Sequence, residues 1–157
     1  MSFAPRAPDP VCTCFMVRSL SRKISQLYDD TLAPSGLRGT QFSLLVQARR
    51  AHQAPPTVSA LAEQLHTDRT TLTRNLRTLQ QAGCIELVPG TDARSRCVVV
   101  TAQGQAKIRE AAALWRLAQQ RVRELCGLQQ IAALESLVLD MLPVLEAQAP
   151  ALAEDAA

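Results

Sequence analysis

No apolar run in the 157 residues is longer than four or five residues, Cys97 to Val100 being typical. A membrane-spanning helix needs roughly 20, so the chain is expected to be soluble, with no membrane among its partners. There is no H-E-x-x-H, G-x-S-x-G, G-x-G-x-x-G or phosphate-loop pattern, which leaves zinc-peptidase, serine-hydrolase and nucleotide chemistry without an anchor. The two histidines, His52 and His66, fall in or beside expected turns, with no carboxylate or cysteine at catalytic or zinc-binding spacing. The chain is therefore expected to be no enzyme and to carry no cofactor. The first ten residues hold three prolines and no apolar h-region; they are expected to form a disordered arm, 1–10, and to leave the cytoplasm as the default location. An odd count of five cysteines in a reducing compartment points to thiols rather than a disulfide framework.

What is present fits one compact globular domain, with 47% hydrophobic and 20% charged residues. Charge is distributed unevenly: residues 1–56 carry a formal +4, residues 57–105 +1 and residues 106–157 −2. Of the 17 basic residues 15 are arginine, the side chain suited to planar, bidentate contact with phosphate or guanine.

Periodicity predicts a mainly α protein with one small β-hairpin. Val17, Leu20, Ile24, Leu27 and Thr31 recur at helical spacing until Pro34-Ser35-Gly36 stops the run. Thr40 is the expected cap of a second helix, ending before Gln53-Ala54-Pro55-Pro56. Ser59 is the expected cap of a short third helix, with Leu61, Ala62 and Leu65 inward. After a tight His66-Thr67 turn, Asp68 caps a fourth helix ridged by Leu72, Leu76 and Leu79 and closed by Gly83. The last two form a helix-turn-helix candidate. Cys84 to Val88 and Arg96 to Val100 read as strands joined by a polar tip. Thr101 caps a long helix striped by Ile108, Ala112, Trp115, Ala118, Val122 and Leu125 and broken at Gly127. A last helix carries Ile131, Leu134, Val138, Met141 and Leu145, with Pro143 expected to kink or shorten it.

The chemistry is concentrated in residues 59–101. At about 100° per residue, the side of the fourth helix opposite its leucine ridge presents Thr70, Thr73, Arg74, Arg77 and Gln81, with no carboxylate. Arginine reads guanine or phosphate, threonine donates to phosphate or touches a thymine methyl, and glutamine pairs with adenine. Arg94 and Arg96 put two guanidinium groups on the hairpin, where a tip arginine suits a narrow minor groove, and Asp92 would serve as a clamp fixing the tip. A winged-helix interaction scaffold without operator recognition is the alternative. It would not require a carboxylate-free basic face.

Three blocks then carry a resemblance: Ser59-Ala-Leu-Ala-Glu-Gln-Leu65; Asp68-Arg-Thr-Thr-Leu-Thr-Arg74, continuing to Leu79 and Gly83; and Asp92-Ala-Arg94-Ser-Arg96, leading into Val100-Thr101-Ala-Gln-Gly104. From about Cys12 to Leu145 the chain resembles the MarR family of winged helix-turn-helix transcription regulators. Cys12-Thr-Cys-Phe15, Tyr28-Asp29, Leu32-Ala-Pro34 and Gly36-Leu37 look like one large bacterial subgroup of it. The resemblance implies a homodimer in which helices of 11–37 and 102–157 interlock while the winged modules, 38–101, read the halves of a palindromic double-stranded DNA operator. It implies repression of a nearby gene until a ligand or oxidant intervenes. It also assigns Arg69, Thr70, Thr71, Thr73, Arg74 and Arg77 to the major groove, Arg94 to the minor groove and Asp92 to its salt bridge. Ser95 and Cys97 depart from the acidic and basic residues many members carry there.

The trigger is open between two chemistries. Cys12 and Cys14 point about 200° apart on a helix, but in an extended segment both sulfurs can reach one thiophilic centre. With Cys126, if the dimer helices pack as the resemblance implies, they would make a three-thiolate site for a metalloid or soft metal. Cys14, with Arg18 one turn away, is the best-placed thiol for an oxidant, whereas Cys84 and Cys97 are expected in the core. Alternatively, a small aromatic or anionic effector would sit in a crevice lined by Phe15, Arg22, Tyr28, Phe42 or Trp115.

Overall fold

The computed structural model describes residues 12–50, 54–91 and 95–154, with the side chains of 149–154 excepted. It contains, among those residues, helices α1 (Thr13–Leu32), α2 (Gly39–Arg50), α3 (Val58–Gln64) and α4 (Arg69–Gln81), strands β1 (Ile85–Pro89) and β2 (Arg96–Val100), and helices α5 (Ala102–Cys126) and α6 (Leu128–Glu154). The fold is thus mainly α with one hairpin, as the periodicity predicts. The expected arm, 1–10, lies outside the described residues.

Compactness divides the chain into two units, one up to Ala118 and one from Gln119. In the first, Leu32, Leu44, Leu45, Leu61, Leu72, Leu79, Ile85 and Val98 are almost wholly withdrawn from water, each such side chain contributing on the order of 1.5–3 kcal/mol of hydrophobic stabilisation. Phe42 and Trp115 close one side, their rings 6.0 Å apart and inclined at 30°. Of the long-helix stripe, Ile108, Ala118 and Val122 are buried as expected, whereas Ala111 is fully buried where Ala112 is expected and Leu125 is 75% exposed.

The helix ends explain the turns. α1 gives way to a 3₁₀ turn at Ala33–Ser35, and Gly36, at φ 72°, reverses the chain. α2 begins one residue before Thr40: the Gln41 side chain accepts the Arg38 N–H at 2.9 Å, and Asp29 Oδ1 accepts that of Gly39 at 2.8 Å. The α3 cap is Thr57, whose hydroxyl accepts the Ala60 N–H at 3.1 Å, and not Ser59. At α3 two hydroxyls, Thr57 and Ser59, sit near the start, and the chain's direction of approach, which spacing does not encode, selects between them; at α2 an amide and a carboxylate oxygen take the place of the expected hydroxyl.

β1 and β2 pair antiparallel in the register Ile85↔Val100 to Pro89↔Arg96. The Val98 N–H donates to the Pro56 carbonyl at 2.9 Å and Thr57 bridges Cys97, so the residues leading into α3 flank the hairpin as a third, minimal strand.

In the second unit α6 runs unbroken through Pro143 to Glu154, so that proline does not shorten the helix. None of its described side chains is fully buried. Leu128–Gln148, with mean hydropathy 1.4, is by length and composition alone long and apolar enough to cross a membrane. This corrects the reading from unbroken runs: single polar residues interrupt the apolar ones without making the window polar.

Candidate nucleic-acid interface

α4 is held at both ends. Asp68 accepts the Thr71 N–H at 2.8 Å, and this hydrogen bonding, with Thr71 as the main partner, holds the Asp68 carboxyl below its ordinary value. At the other end Gly83, at φ 67°, donates to Gln80 O and Cys84 donates to Leu79 O, closing the helix in a Schellman motif. The preceding turn uses the same pattern without glycine. His66 takes φ 45°, His66 N–H bonds Glu63 O and Thr67 N–H bonds Ala62 O, each at 3.0 Å. Leu72, Leu76 and Leu79 are buried, which fixes the rotation of α4 about its axis.

That rotation exposes Arg69, Thr70, Thr71, Thr73, Arg74 and Arg77. Arg69, Thr70, Thr73, Arg74 and Arg77 surround one shallow concavity. No Asp or Glu occurs anywhere in the helix, so the outer face is uniformly attractive to an anion. The Thr73 hydroxyl donates to Arg69 O at 2.7 Å and that of Thr78 to Arg74 O at 3.2 Å. As placed, Thr73 therefore meets a ligand with its oxygen lone pairs and its methyl, and not as a donor.

The hairpin faces the same way. A second cleft of about 620 Å³ is lined by Arg69, Thr73, Arg77 and Gln80 of α4, Thr57 and Ser59 at the start of α3, and Ser95 and Arg96 of the wing. Arg96 is exposed and shares this cleft with the helix arginines. Ser59, which is not the α3 cap, and Gln80, which follows Arg77 by three residues, are members of the face that the sequence reading left out. The i,i+3 spacing of Gln80 was the available signal. Asp92 and Arg94 lie outside the described residues.

The hairpin is tied to the end of α4 by the start of α5. Thr101 Oγ1 donates to Gly83 O at 2.7 Å and accepts the Gly104 N–H at 3.1 Å, Gln103 Nε2 donates to Ala82 O at 2.9 Å, and Thr101 N–H donates to Cys84 O at 3.1 Å. This is the physical content of T-x-x-G: the threonine caps α5 and holds a carbonyl beyond α4, and the glycine lets the two backbones meet.

The residues considered for sensing lie on α1, at its N-cap, on α2 and on α5. Cys12 is the extended N-cap of α1, and Cys14 is the second residue of that helix. Both are exposed, as is Cys126 at the end of α5. Among the described residues no three His, Cys, Asp or Glu side chains gather in a form that could hold a metal. Phe15 is 62% exposed. Arg22 is exposed and donates to Ser19 Oγ at 2.9 Å. Tyr28 and Trp115 pack against the main core. Cys84 is buried, which pushes its thiol upward against the lowering field of Lys107; Cys97 is half-buried.

Comparison with known proteins gives this geometry its context. Residues 35–95 match the MarR family. The transcriptional regulator MosR of M. tuberculosis, solved in complex with DNA, is 34% identical, with 87% of this chain and 97% of that one covered and a TM-score of 0.75. A mutant of E. coli MarR complexed with operator DNA is 27% identical over 83% of this chain and 93% of that one, with a TM-score of 0.72. The uncharacterized HTH-type transcriptional regulator YwoH of Bacillus subtilis is 28% identical over 94 residues, which are 60% of this chain and 67% of that protein. With a winged helix-turn-helix in place, two backbones tied at T-x-x-G and relatives of this similarity, the chain belongs to the MarR family of DNA-binding transcriptional regulators.

Proposed function

We propose that the protein is a homodimeric regulator that binds a palindromic operator, represses a neighbouring gene and is released by a small-molecule, metalloid or oxidant signal. One observation carries the reading: the carboxylate-free face of α4 shares a single cleft with Arg96 of the wing. A duplex meets both together, with α4 in the major groove and the hairpin, through Arg94 and its partner Asp92, along the minor groove. Residues 38–101 form the DNA-binding module in this reading.

Dimerisation through 11–37 and 102–157 is supported by apolar surface that one chain leaves uncovered. Phe15, Met16, Val17 and Leu20 are exposed on α1, as are Leu137, Leu139, Val144 and Leu145 on α6. A 27-residue helix with no fully buried described side chain needs a partner face to be stable in water. Lipid is a poor partner, because Glu135 and Asp140 fall inside the apolar window and each carboxylate near mid-membrane costs about 2.5–3.5 kcal/mol on insertion scales. We place the protein in the cytoplasm, with the DNA it is proposed to bind. The exposed thiols Cys12, Cys14 and Cys126 are open to a metalloid or oxidant, so Cys12→Ser with Cys14→Ser should abolish a response to arsenite or peroxide and leave operator binding intact.

The deciding experiment is a gel shift on the DNA flanking the gene, titrated with salt. Each neutralised phosphate contributes a slope of about −0.9 in log affinity against log salt, so a regulator gripping two half-sites loses affinity steeply. A flat profile would leave the interaction-scaffold reading in its place.

A further inference from the structure

The threonines of α4 are not equivalent, because each hydroxyl has a single proton to give. Thr73 spends its proton on Arg69 O at 2.7 Å, the commonest length for such a bond, whereas Thr78 reaches Arg74 O only at 3.2 Å. The Thr71 side chain is engaged by the Asp68 carboxylate. Threonine in a helix can turn its oxygen to the carbonyl one turn back in this way. For Thr73, which is exposed, the methyl is then the group left unengaged.

Thr73 also stands where the two basic concavities meet. It lines the shallow one on the outer face of α4 with Thr70 and Arg74, and the wing-side cleft with Gln80 and Arg96. Arg69 and Arg77, one turn before and one turn after it, line both as well. Long arginine arms on either side can meet phosphates and base edges at a distance; the short side chain between them meets only a group that projects toward the helix.

In the major groove that group is the C5-methyl of thymine. Guanine presents acceptors alone, which a hydroxyl whose proton is spent cannot satisfy, and the amino groups of cytosine and adenine would have to approach an oxygen already drawn on to the backbone. We infer that Thr73 touches the C5-methyl of one thymine in each operator half-site, and so fixes a base of the operator without a hydrogen bond. This rests on the proposed operator binding, to which it adds the base and the atom read.

The test uses the full-length protein and the flanking DNA fragment that it retards, each thymine being replaced singly by deoxyuridine, which lacks only the methyl. Loss of one buried methyl should weaken binding about fourfold at one position in each half-site, and about fifteenfold when both are replaced, since separated sites add. Thr73→Ser, which keeps the hydroxyl and its bond to Arg69, should lose about fifteenfold on the unmodified fragment because both protomers change, and should then ignore deoxyuridine at those two positions. Thr73→Val, which keeps the methyl, should retain the parent's sensitivity. A steep salt dependence with no thymine whose methyl the parent feels, or a Thr73→Ser protein that binds like the parent or still feels every methyl, would overturn the contact and leave operator binding standing. A Thr73→Val protein blind to deoxyuridine would assign the reading to the hydroxyl and overturn the contact too. Failure to retard any flanking DNA, even at low salt, would overturn operator binding itself and this contact with it.

Discussion

Gly104→Ala places two well-known effects in opposition. In the interior of a helix, glycine to alanine ordinarily stabilises by about 0.8–1 kcal/mol. Here Gly104 is the third residue of α5 and is buried. A methyl at its Cβ position would overlap the Cys84 carbonyl oxygen, and would lie 3.0 Å from the carbonyl carbon and 2.8 Å from Val100 Cγ1. Backbone and a β-branched strand residue cannot swing aside as a long side chain would. Relief requires α5 to retreat from Cys84 and the end of β2, at an overpacking cost of about 1–3 kcal/mol, and the retreat also weakens the Thr101 N–H to Cys84 O bond, worth about 0.5–1.5 kcal/mol. Steric cost exceeds propensity gain, leaving a net loss of about 1–3 kcal/mol. At roughly 2–4 °C per kcal/mol for a chain of this size, the melting temperature by far-UV circular dichroism should fall by about 2–12 °C. Gln103→Ala, which removes only the exposed bond to Ala82 O, should cost about 1 kcal/mol or less. A Gly104→Ala protein as stable as the parent, or more so, would refute the close approach of α5 to Cys84 and Val100.

Arg74→Ala and Arg77→Ala should each lose about 1–3 kcal/mol of operator binding with relaxed base preference if the contact is bidentate to a base, and should weaken all sequences alike with a shallower salt slope if it is to phosphate; a competition gel shift against scrambled DNA separates the two. Iodoacetamide at neutral pH should label Cys12, Cys14 and Cys126, which are exposed, while Cys84, buried and with its thiol raised, reacts only in denaturant; native labelling of Cys84, read by peptide mass spectrometry, would contradict its placement. Asp68, lowered on folding by Thr71, contributes stability that is present above the ordinary aspartate range and is lost as pH falls through its folded value. The gap in melting temperature between the parent and Asp68→Ala should therefore be full at pH 6 and shrink below about pH 4, and a gap independent of pH would disprove the cap.

Much of this fold was legible because its signals are local. Asp68, the leucine ridge and Gly83 bracket α4 within 16 residues, and capping, period and a left-handed stop agree there, so the outward arginines followed without knowledge of the rest. Signals that depended on the chain's path were misread. Thr57 and Ser59 are both good caps, and the pairing of Pro56 and Thr57 with β2 selects the first. Pro143 reads as a breaker, yet the missing N–H and the ring clash of one proline did not end α6. The cleft shared by Arg69, Arg77 and Arg96 was foreseeable only in part, since the helix face follows from period while the orientation of the wing depends on contacts spread over some 40 residues.

His66, finally, occupies a conformation that glycine adopts at no steric cost and that a histidine enters only under compulsion. Two backbone hydrogen bonds hold it there, so main-chain contacts close the bend between α3 and α4. The joint behaves as a pre-stressed bracket. It gives up a little free energy at one residue and in return closes the bend that leads into the reading helix.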